Sequence, residues 1–410
     1  MYKSLWEWPS TTKNILLVQP SFPIPKKRKI KHESIPIGLL KIGTYLRDCK
    51  KYNVKLVLGN QPLEFPADEV WITSLFTYWS DYVHESIEFY RSVYPNAAIV
   101  VGGIYASLMP ECLQKIKGIK VVTGQHHQAE EWCRNHGVDY SLLDVPVDMQ
   151  IIHSMRGCFR RCDFCGTWKI ERKEEFYRDI SKLIKTNHVV FYDNNLLRHP
   201  DIVEILKELA ALRVNGKRVI FESQSGFDGR ILTDEIAKLL KKANFKNPRI
   251  AWDHAMSDES SIKGQIDMLT AAGYSSKDIY VFILYNYKYN FSVVEQKRLK
   301  CWDWGVQISD CRYRPLTQTF DHYSPRKKQD STSYYIHEDI WTDEDVKRFR
   351  GNVRKHNICV RHGFPFHSKI LERKAGGKEL VKKLIGLNEG KLREILPDVW
   401  YPGGYDGKYY

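Results

Sequence analysis

The chain has 410 residues, 43% hydrophobic, 27% charged and 13% aromatic: enough for two or three compact units, and too apolar and varied for a disordered chain, a fibre or a coiled coil. A mean hydropathy of −0.45, the lack of any apolar run near ~18 residues and an N-terminus without an apolar signal core lead to the expectation of a cytoplasmic protein with no membrane partner. The net charge of +14 is uneven, with fifteen Lys and Arg against nine Asp and Glu in residues 341–410 and ten against six in 151–200; it suits an anionic partner such as nucleic acid, or equally a solvated basic surface.

In chain order, residues 14–19 are an apolar run ending at Pro20, as a buried parallel strand would be. Residues 25–31 are a basic loop. Helical spacing follows over 35–49, then strands at 54–58 and 70–73, a helix at 80–93 and strands at 97–101 and 120–122. Alternation of this kind predicts a parallel sheet wound on both faces. Residues 138–150, with Pro146 and three aspartates, read as a linker.

A second series then begins. Strands are expected at 150–153, 189–192, 218–222, 249–252, 280–284 and 306–309, with helices at 202–212, 233–242, 260–272 and 293–302. Six strand–helix units in this length suit a closed or partial βα barrel. Beyond 325 the chain is polar, then basic and helical over 342–355 and 376–387, then aromatic and glycine-rich.

The sharpest chemical signal is Cys158-Phe-Arg-Arg-Cys162-Asp-Phe-Cys165. Three thiolates within eight residues, just after an expected strand, can converge on one soft metal centre. A mononuclear zinc site would want a fourth ligand, for which Asp163, His153 or a distant cysteine stands available. A [4Fe–4S] cube held by three thiolates would leave one iron open to a small molecule. Arg156, Arg160 and Arg161 would offset the cluster's negative charge. Nine cysteines are too few for a disulfide framework. Of the others, Cys49 and Cys301 fall in apolar helices and read as core, while Cys311 lies beside the sixth strand end.

At these residues the sequence resembles the radical S-adenosylmethionine (radical SAM) superfamily, whose signature is CxxxCxxC with an aromatic residue, here Phe164, directly before the third cysteine. The resemblance implies an α/β fold: an N-terminal doubly wound Rossmann-like domain over 1–140, a partial (βα)6 barrel over 150–320 and a small α-rich C-terminal region over 321–410. It also implies a [4Fe–4S] cluster on Cys158, Cys162 and Cys165, S-adenosylmethionine on its open iron, and an electron donor such as flavodoxin or ferredoxin. Reductive cleavage of the cofactor would yield a 5′-deoxyadenosyl radical that abstracts hydrogen from a substrate.

Barrel strand ends are where such sites gather. Asp193, Asn194 and Asn195 end the second strand, where family members hold the methionine amino group; an Asx turn with a helix cap is the plainer reading. Glu222, Gln224 and Ser225 end the third and are similar to a stretch that approaches the cofactor. Asp253 ends the fourth and could bond ribose hydroxyls. Tyr285-Asn286-Tyr287 and Arg312-Tyr-Arg314 end the fifth and sixth and are candidates to face substrate. His356, between Arg354 and Arg361, belongs to a basic stretch that would close the barrel mouth or contact an anionic substrate; an exposed helix turn is the plainer reading.

The first domain resembles the cobalamin-binding domain found before the barrel in related enzymes, through Leu16–Pro20, Pro36–Leu39 and the Gly102-Gly103 strand end. It lacks the Asp-x-His-x-x-Gly motif, and Leu75-Phe-Thr-Tyr-Trp79 is bulky where a corrin would need room. A vestigial or docking domain is therefore expected over a working cobalamin site, and cobalamin-dependent methyl transfer is the alternative chemistry. The rival from another class is a non-catalytic nucleic-acid-binding protein with a structural metal.

Overall fold

The structure, a computed structural model, describes residues 12–24, 32–373 and 376–403; the basic loop 25–31 and the chain ends lie outside the described residues. The chain divides into two compact units: Met1–Val190 with Pro315–Asp321, and Phe191–Arg314 with His322–Tyr410.

The first unit is built on β1 (Asn14–Gln19), α1 (Ile37–Asp48), β2 (Asn53–Leu58), β3 (Glu69–Ser74), α2 (Ser80–Val93), β4 (Ala98–Gly103), α3 (Ile104–Leu108), α4 (Pro110–Gln114), β5 (Ile119–Val121) and α5 (His127–His136). The five strands form one parallel sheet in the order β2-β1-β3-β4-β5, an order that doubly wound sheets use. Ile15, Leu16, Leu17 and Val18 have no exposed surface. Burial of every side chain in turn, rather than every second one, is what a parallel strand covered on both faces requires.

The glycine-rich end of β4 has a local cause. Gly103 has φ 104°, and a Cβ there would lie 2.2 Å from the Ser74 carbonyl oxygen. Ser74 Oγ donates to the Gly102 carbonyl at 2.8 Å and accepts from the Ala106 N–H at 3.0 Å. One serine thus ties the end of β4 to the first turn of α3, and the backbones approach too closely for any side chain at 103.

The unit continues through β6 (Gln150–Ile152), β7 (Met155–Arg156), α6 (Thr167–Ile170), β8 (Glu175–Phe176) and most of β9 (His188–Phe191), which lies beside β6.

The second unit holds α7 (Ile202–Ala211), a hairpin of β10 (Arg213–Val214) and β11 (Lys217–Arg218), β12 (Ile220–Ser223), α8 (Asp234–Lys242), β13 (Arg249–Ala251), α9 (Glu259–Ala271), β14 (Tyr280–Tyr285), α10 (Phe291–Asp303) and β15 (Gln307–Arg312). β13, β14 and β15 form a parallel sheet. Between β12 and β13 the described residues give single parallel bridges, Phe221 to Phe245 and Phe227 to Ile250, instead of a ladder. The rings of Phe191, Phe221 and Phe227 all lie within 6 Å of Phe245, so packed aromatic faces fill the place where strand pairing thins out. The parallel α/β core matches the expected barrel strands; a closed barrel is not part of what the described strands show.

The C-terminal region is helical: α11 (Asp343–His362), α12 (Lys369–Arg373), α13 (Gly377–Leu384) and α14 (Glu389–Ile395). Two expectations are corrected here. The stretch around His356 lies on a helix with Arg354, Arg361 and His362 exposed, but His356 itself does not share that face. His356 is fully buried and Nε2 meets the Val306 carbonyl at 2.8 Å. Asn357 accepts from the Ile308 N–H and donates to the Ile308 carbonyl, both at 2.8 Å. A side-chain amide thereby satisfies backbone groups of β15, which would otherwise be an open sheet edge. Nor is Cys49 core; it caps the end of α1 and is exposed, whereas Cys301 is fully buried. Among the described residues no helix is long and apolar enough to cross a membrane.

Gly103→Ala is expected to lower unfolding stability by about 2–4 kcal/mol, since it adds both a clash and a strained φ. Gly38→Ala, inside α1 with nothing within 4 Å of the new methyl, should instead raise it by about 0.5–1 kcal/mol. Urea denaturation of the two variants checks the contrast.

Candidate active site

In the first unit, β7 and β8 pair antiparallel, Met155 with Phe176 and Arg156 with Glu175. The segment between them leaves and returns through one neck, and Glu171 closes it. Arg156 Nη2 donates to Glu171 Oε1 at 2.5 Å and the Gly157 N–H donates to Oε2 at 2.9 Å. Both partners of the ion pair are mostly buried, at 16% and 11% side-chain exposure, where a pair holds its geometry better than on open surface. Gly157, at φ 78°, leaves no room for a Cβ, which would lie 2.1 Å from the Lys173 carbonyl.

This neck carries the cysteine triad. The Cys162 carbonyl accepts from the Cys165 N–H and from Trp168 Nε1, each at 3.0 Å, so the backbone turns sharply before entering α6. Gly166 packs on Leu108 of α3 and on Leu316. Cys158, Cys162 and Cys165 are half-buried, as is Phe164. Arg160 lies 4.4 Å over the exposed Phe159 ring. Among the described residues no group of three or more His, Cys, Asp and Glu side chains is drawn together closely enough to hold a metal ion. The chemistry of the donor set nevertheless fits an iron–sulfur cluster. Three thiols stand on one folded loop, partly open to solvent, beside arginines that balance an anionic centre.

In the second unit, the residues after β9 are largely buried. Asp193 is fully buried and Asn195 is 5% exposed. Asn195 opens the short turn 196–198, yet its side chain makes no capping bond. Its Nδ2 donates to Asp228 Oδ2 at 3.3 Å, and its Oδ1 is buried without a hydrogen-bond partner. A buried acceptor left open is costly unless something donates to it. Asp228, which the sequence did not single out, also accepts from Arg230 Nε at 2.8 Å. Asn194 is half-buried.

After β12, Glu222 Oε2 lies 3.5 Å from Arg249 Nη2, and Arg249 Nη1 donates to the Ser223 carbonyl at 2.8 Å. Gln224 is half-buried, with its N–H donating to the Phe191 carbonyl at 2.9 Å, and Ser225 is exposed. Glu222 thus has a local partner of its own.

After β13, Asp253 is half-buried. Burial pushes its carboxyl above the ordinary aspartate range, against the pull of Lys297 and His254. Lys297 has no exposed surface. Its Nζ donates to the Trp252 carbonyl at 3.0 Å and to the His254 carbonyl at 2.5 Å. One ammonium therefore clamps the peptides on both sides of Asp253. Burial pulls that lysine down to about 8. The sequence carries a sign of it: Lys297 stands three residues after Val294 and four before Cys301, on the buried face of α10. Cys311 is half-buried near Asp253. Burial, then the charges of Asp253 and Asp310, push its thiol up to about 12, so it stays protonated.

The fifth and sixth strand ends are mostly occupied by the fold. Tyr285 is buried, and Asn286, at φ 60°, donates to the Tyr335 carbonyl and accepts from the His337 N–H. Arg312 is buried between the rings of Tyr323 and Tyr334, 4.7 and 4.9 Å from their centroids. Tyr287 stays half-buried, 4.3 Å from the ring of Tyr313.

Residues 152–294 match the Radical SAM superfamily. Two solved structures of the radical S-adenosylmethionine methyltransferase TsrM from Kitasatospora setae resemble the chain at 14% identity. One, with cobalamin and a [4Fe–4S] cluster bound, has a TM-score of 0.55 and covers 75% of this chain and 77% of that one. The other, with tryptophan substrate and a SAM analogue, has a TM-score of 0.56 and covers 75% of each. At that identity the likeness is one of fold. No curated protein matches the chain in sequence.

Lys297 generates a pH prediction. Its folded value lies below that of a free lysine, so between about pH 8 and 10.5 the unfolded chain holds the extra proton. Stability contributed at this site therefore rises with pH across that window. The stability difference between the native chain and Lys297→Met, followed by denaturant unfolding from pH 7 to 10.5, should shift in favour of the native chain as pH increases.

Proposed function

We propose that this chain, which carries a radical SAM catalytic domain over residues 152–294, cleaves S-adenosylmethionine reductively and abstracts hydrogen from an anionic substrate. The observation that carries the reading is that the matched stretch contains both the cysteine triad and the polar strand ends from Asp193 to Asp253. Cys158, Cys162 and Cys165 would hold a [4Fe–4S] cluster. When bound, the cluster supplies the electron that breaks the cofactor's sulfur–C5′ bond and yields the 5′-deoxyadenosyl radical.

The chain's own residues have separate tasks. Glu171 and Arg156 keep the loop neck shut, and Arg160 and Arg161 balance the charge of three thiolates. Phe164, directly before the third cysteine, would contribute to the cofactor's site. The open Oδ1 of Asn195 accepts from the methionine ammonium, with Asp193 and Asn194 beside it in sequence. Asp253, held between two clamped peptides, accepts from ribose hydroxyls. Glu222, Gln224 and Ser225 line the approach. A reduced flavodoxin or ferredoxin would deliver the electron, and the basic excess of the chain favours a negatively charged substrate, nucleic acid included.

A second reading has its own support, the likeness of fold to a cobalamin-containing methyltransferase across three-quarters of the chain. In it the first unit would hold cobalamin and the reaction would be methyl transfer. The absorption spectrum of anaerobically reconstituted protein separates the two, because cluster and corrinoid bands are distinct.

With about four irons per chain, the native protein should form 5′-deoxyadenosine from S-adenosylmethionine and dithionite. Cys162→Ala should lose both the cluster absorption and that product while keeping its circular dichroism; undiminished product from the variant would sink the proposal. Glu171→Gln should keep the fold but weaken iron retention about tenfold, as loss of a group supporting metal ligands does. Iron retained after chelator challenge measures it.

A further inference from the structure

A cavity of about 200 Å³ lies within the first unit. Its wall runs from α1 and α5 to β6 and the segment 176–183; it includes His153 and Cys133 but none of Cys158, Cys162, Cys165, Asp193, Asn195, Glu222 or Asp253. A space of about 150 Å³ is enough for a benzene ring.

The lining includes the apolar side chains of Val138, Ile151, Ile152 and Leu183. It also includes charged ones. Lys41 Nζ sits 2.6 Å from Glu130 Oε2 and 3.3 Å from His153 Nδ1. Burial and the cationic neighbours hold His153 well below the ordinary histidine range, so its ring is neutral. Lys41 and Glu130 therefore cancel within the wall. Asp179, itself exposed, lies 3.2 Å from the exposed Lys182. Arg178 contributes a further cation to the lining.

Arg134 differs from all of these. Its guanidinium lies over the Tyr177 ring, 4.0 Å from the centroid, and its Nε is buried without a hydrogen-bond partner. Stacking fixes the plane of the guanidinium, which presents its donors in a rigid fork suited to an oxyanion. A buried donor with no acceptor is a standing cost that a ligand oxygen removes.

We propose that this cavity binds a small carboxylate with a compact apolar body, the carboxylate on Arg134 and the body against Val138 and Ile152. Among the lining residues, Lys41, Arg134 and Arg178 stand against Glu130 and Asp179, one net positive charge, which favours a monoanion. A phosphate dianion would bring a second charge towards Glu130 and an apolar wall, where its desolvation is not repaid. The site is independent of the radical chemistry, so it can stand or fall without it.

The test is calorimetric titration of the full-length protein with benzoate and with benzamide, which has the same shape and no charge. Benzoate should bind saturably at one site, and benzamide at least tenfold more weakly. Arg134→Met should weaken benzoate binding about tenfold to a hundredfold. Val138→Phe, which fills the cavity and leaves the guanidinium in place, should abolish it. Circular dichroism checks the variants, and Val138→Phe decides alone if Arg134→Met does not fold. Absence of benzoate binding, equal affinity for the two probes, or binding unchanged in the folded variants would overturn the proposal.

Discussion

The ion pair between Arg156 and Glu171 is the constraint on which the chemical reading rests. A loop carrying three cysteines gains nothing from its own hydrophobic content; Phe159 is exposed and the cysteines are half-open. Its conformational entropy must be offset elsewhere. Two oxygens of one carboxylate, each used once, do this at the neck. Inside it the Cys162 carbonyl gathers two donors and sets the turn. Such a loop can be ordered at its base and still adjustable at its thiols, which accords with three cysteines that share a loop without forming a preassembled metal cage.

The second unit solves a different problem with the same means. Strand ends carry polar groups because their backbone ladders stop there, and a parallel α/β core collects those ends on one rim. Holding them costs buried charge. Lys297 gives up bulk hydration to clamp the peptides at 252 and 254, and Asn357 lends an amide to β15. Both replace backbone partners that the sheet cannot supply, so Asp253 is positioned by a side chain from a helix well beyond it in sequence.

What the sequence made legible follows from this division. Elements specified by apolar periodicity were readable: β1, α2 and the strands β6, β9, β12, β13, β14 and β15 lie at or near their expected positions, whereas the two-residue strands β7, β8, β10 and β11 are too short to leave a periodic signal. α5 was not readable, since its buried face is little more than Ala129 and Cys133 among polar neighbours. The cysteine spacing was visible as a motif, but its neck was not. Glu171 stands in a run of charged residues, and nothing local separates it from Glu174 or Glu175. Asp228 was missed because its tie to Asn195 joins residues 33 apart and leaves no local pattern, and Lys297 because a lysine, even at the spacing of a buried face, ordinarily reads as solvent-facing. His356 misled in the opposite direction: its basic neighbours suggested a surface, whereas the helix turns it inward against Val306.

The first unit shows how a common sheet order can carry an altered crevice. In the order β2-β1-β3-β4-β5 the winding reverses between β1 and β3, and ligands enter at the carboxyl ends of those strands. Here β1 leads into Phe22 and β3 into the segment 75–79. Phe22 stacks on Trp79 with centroids 5.3 Å apart, and Phe76 packs against both Tyr78 and Trp79. Phe22 is buried while Phe76 stays 44% exposed, so the cluster has a sealed base and an open upper face. Gly103, the residue that would let a ligand approach the backbone, is already required by Ser74. The ends of β1 and β3 therefore carry packed ring faces, and the glycine at the end of β4 serves the fold's own backbone packing.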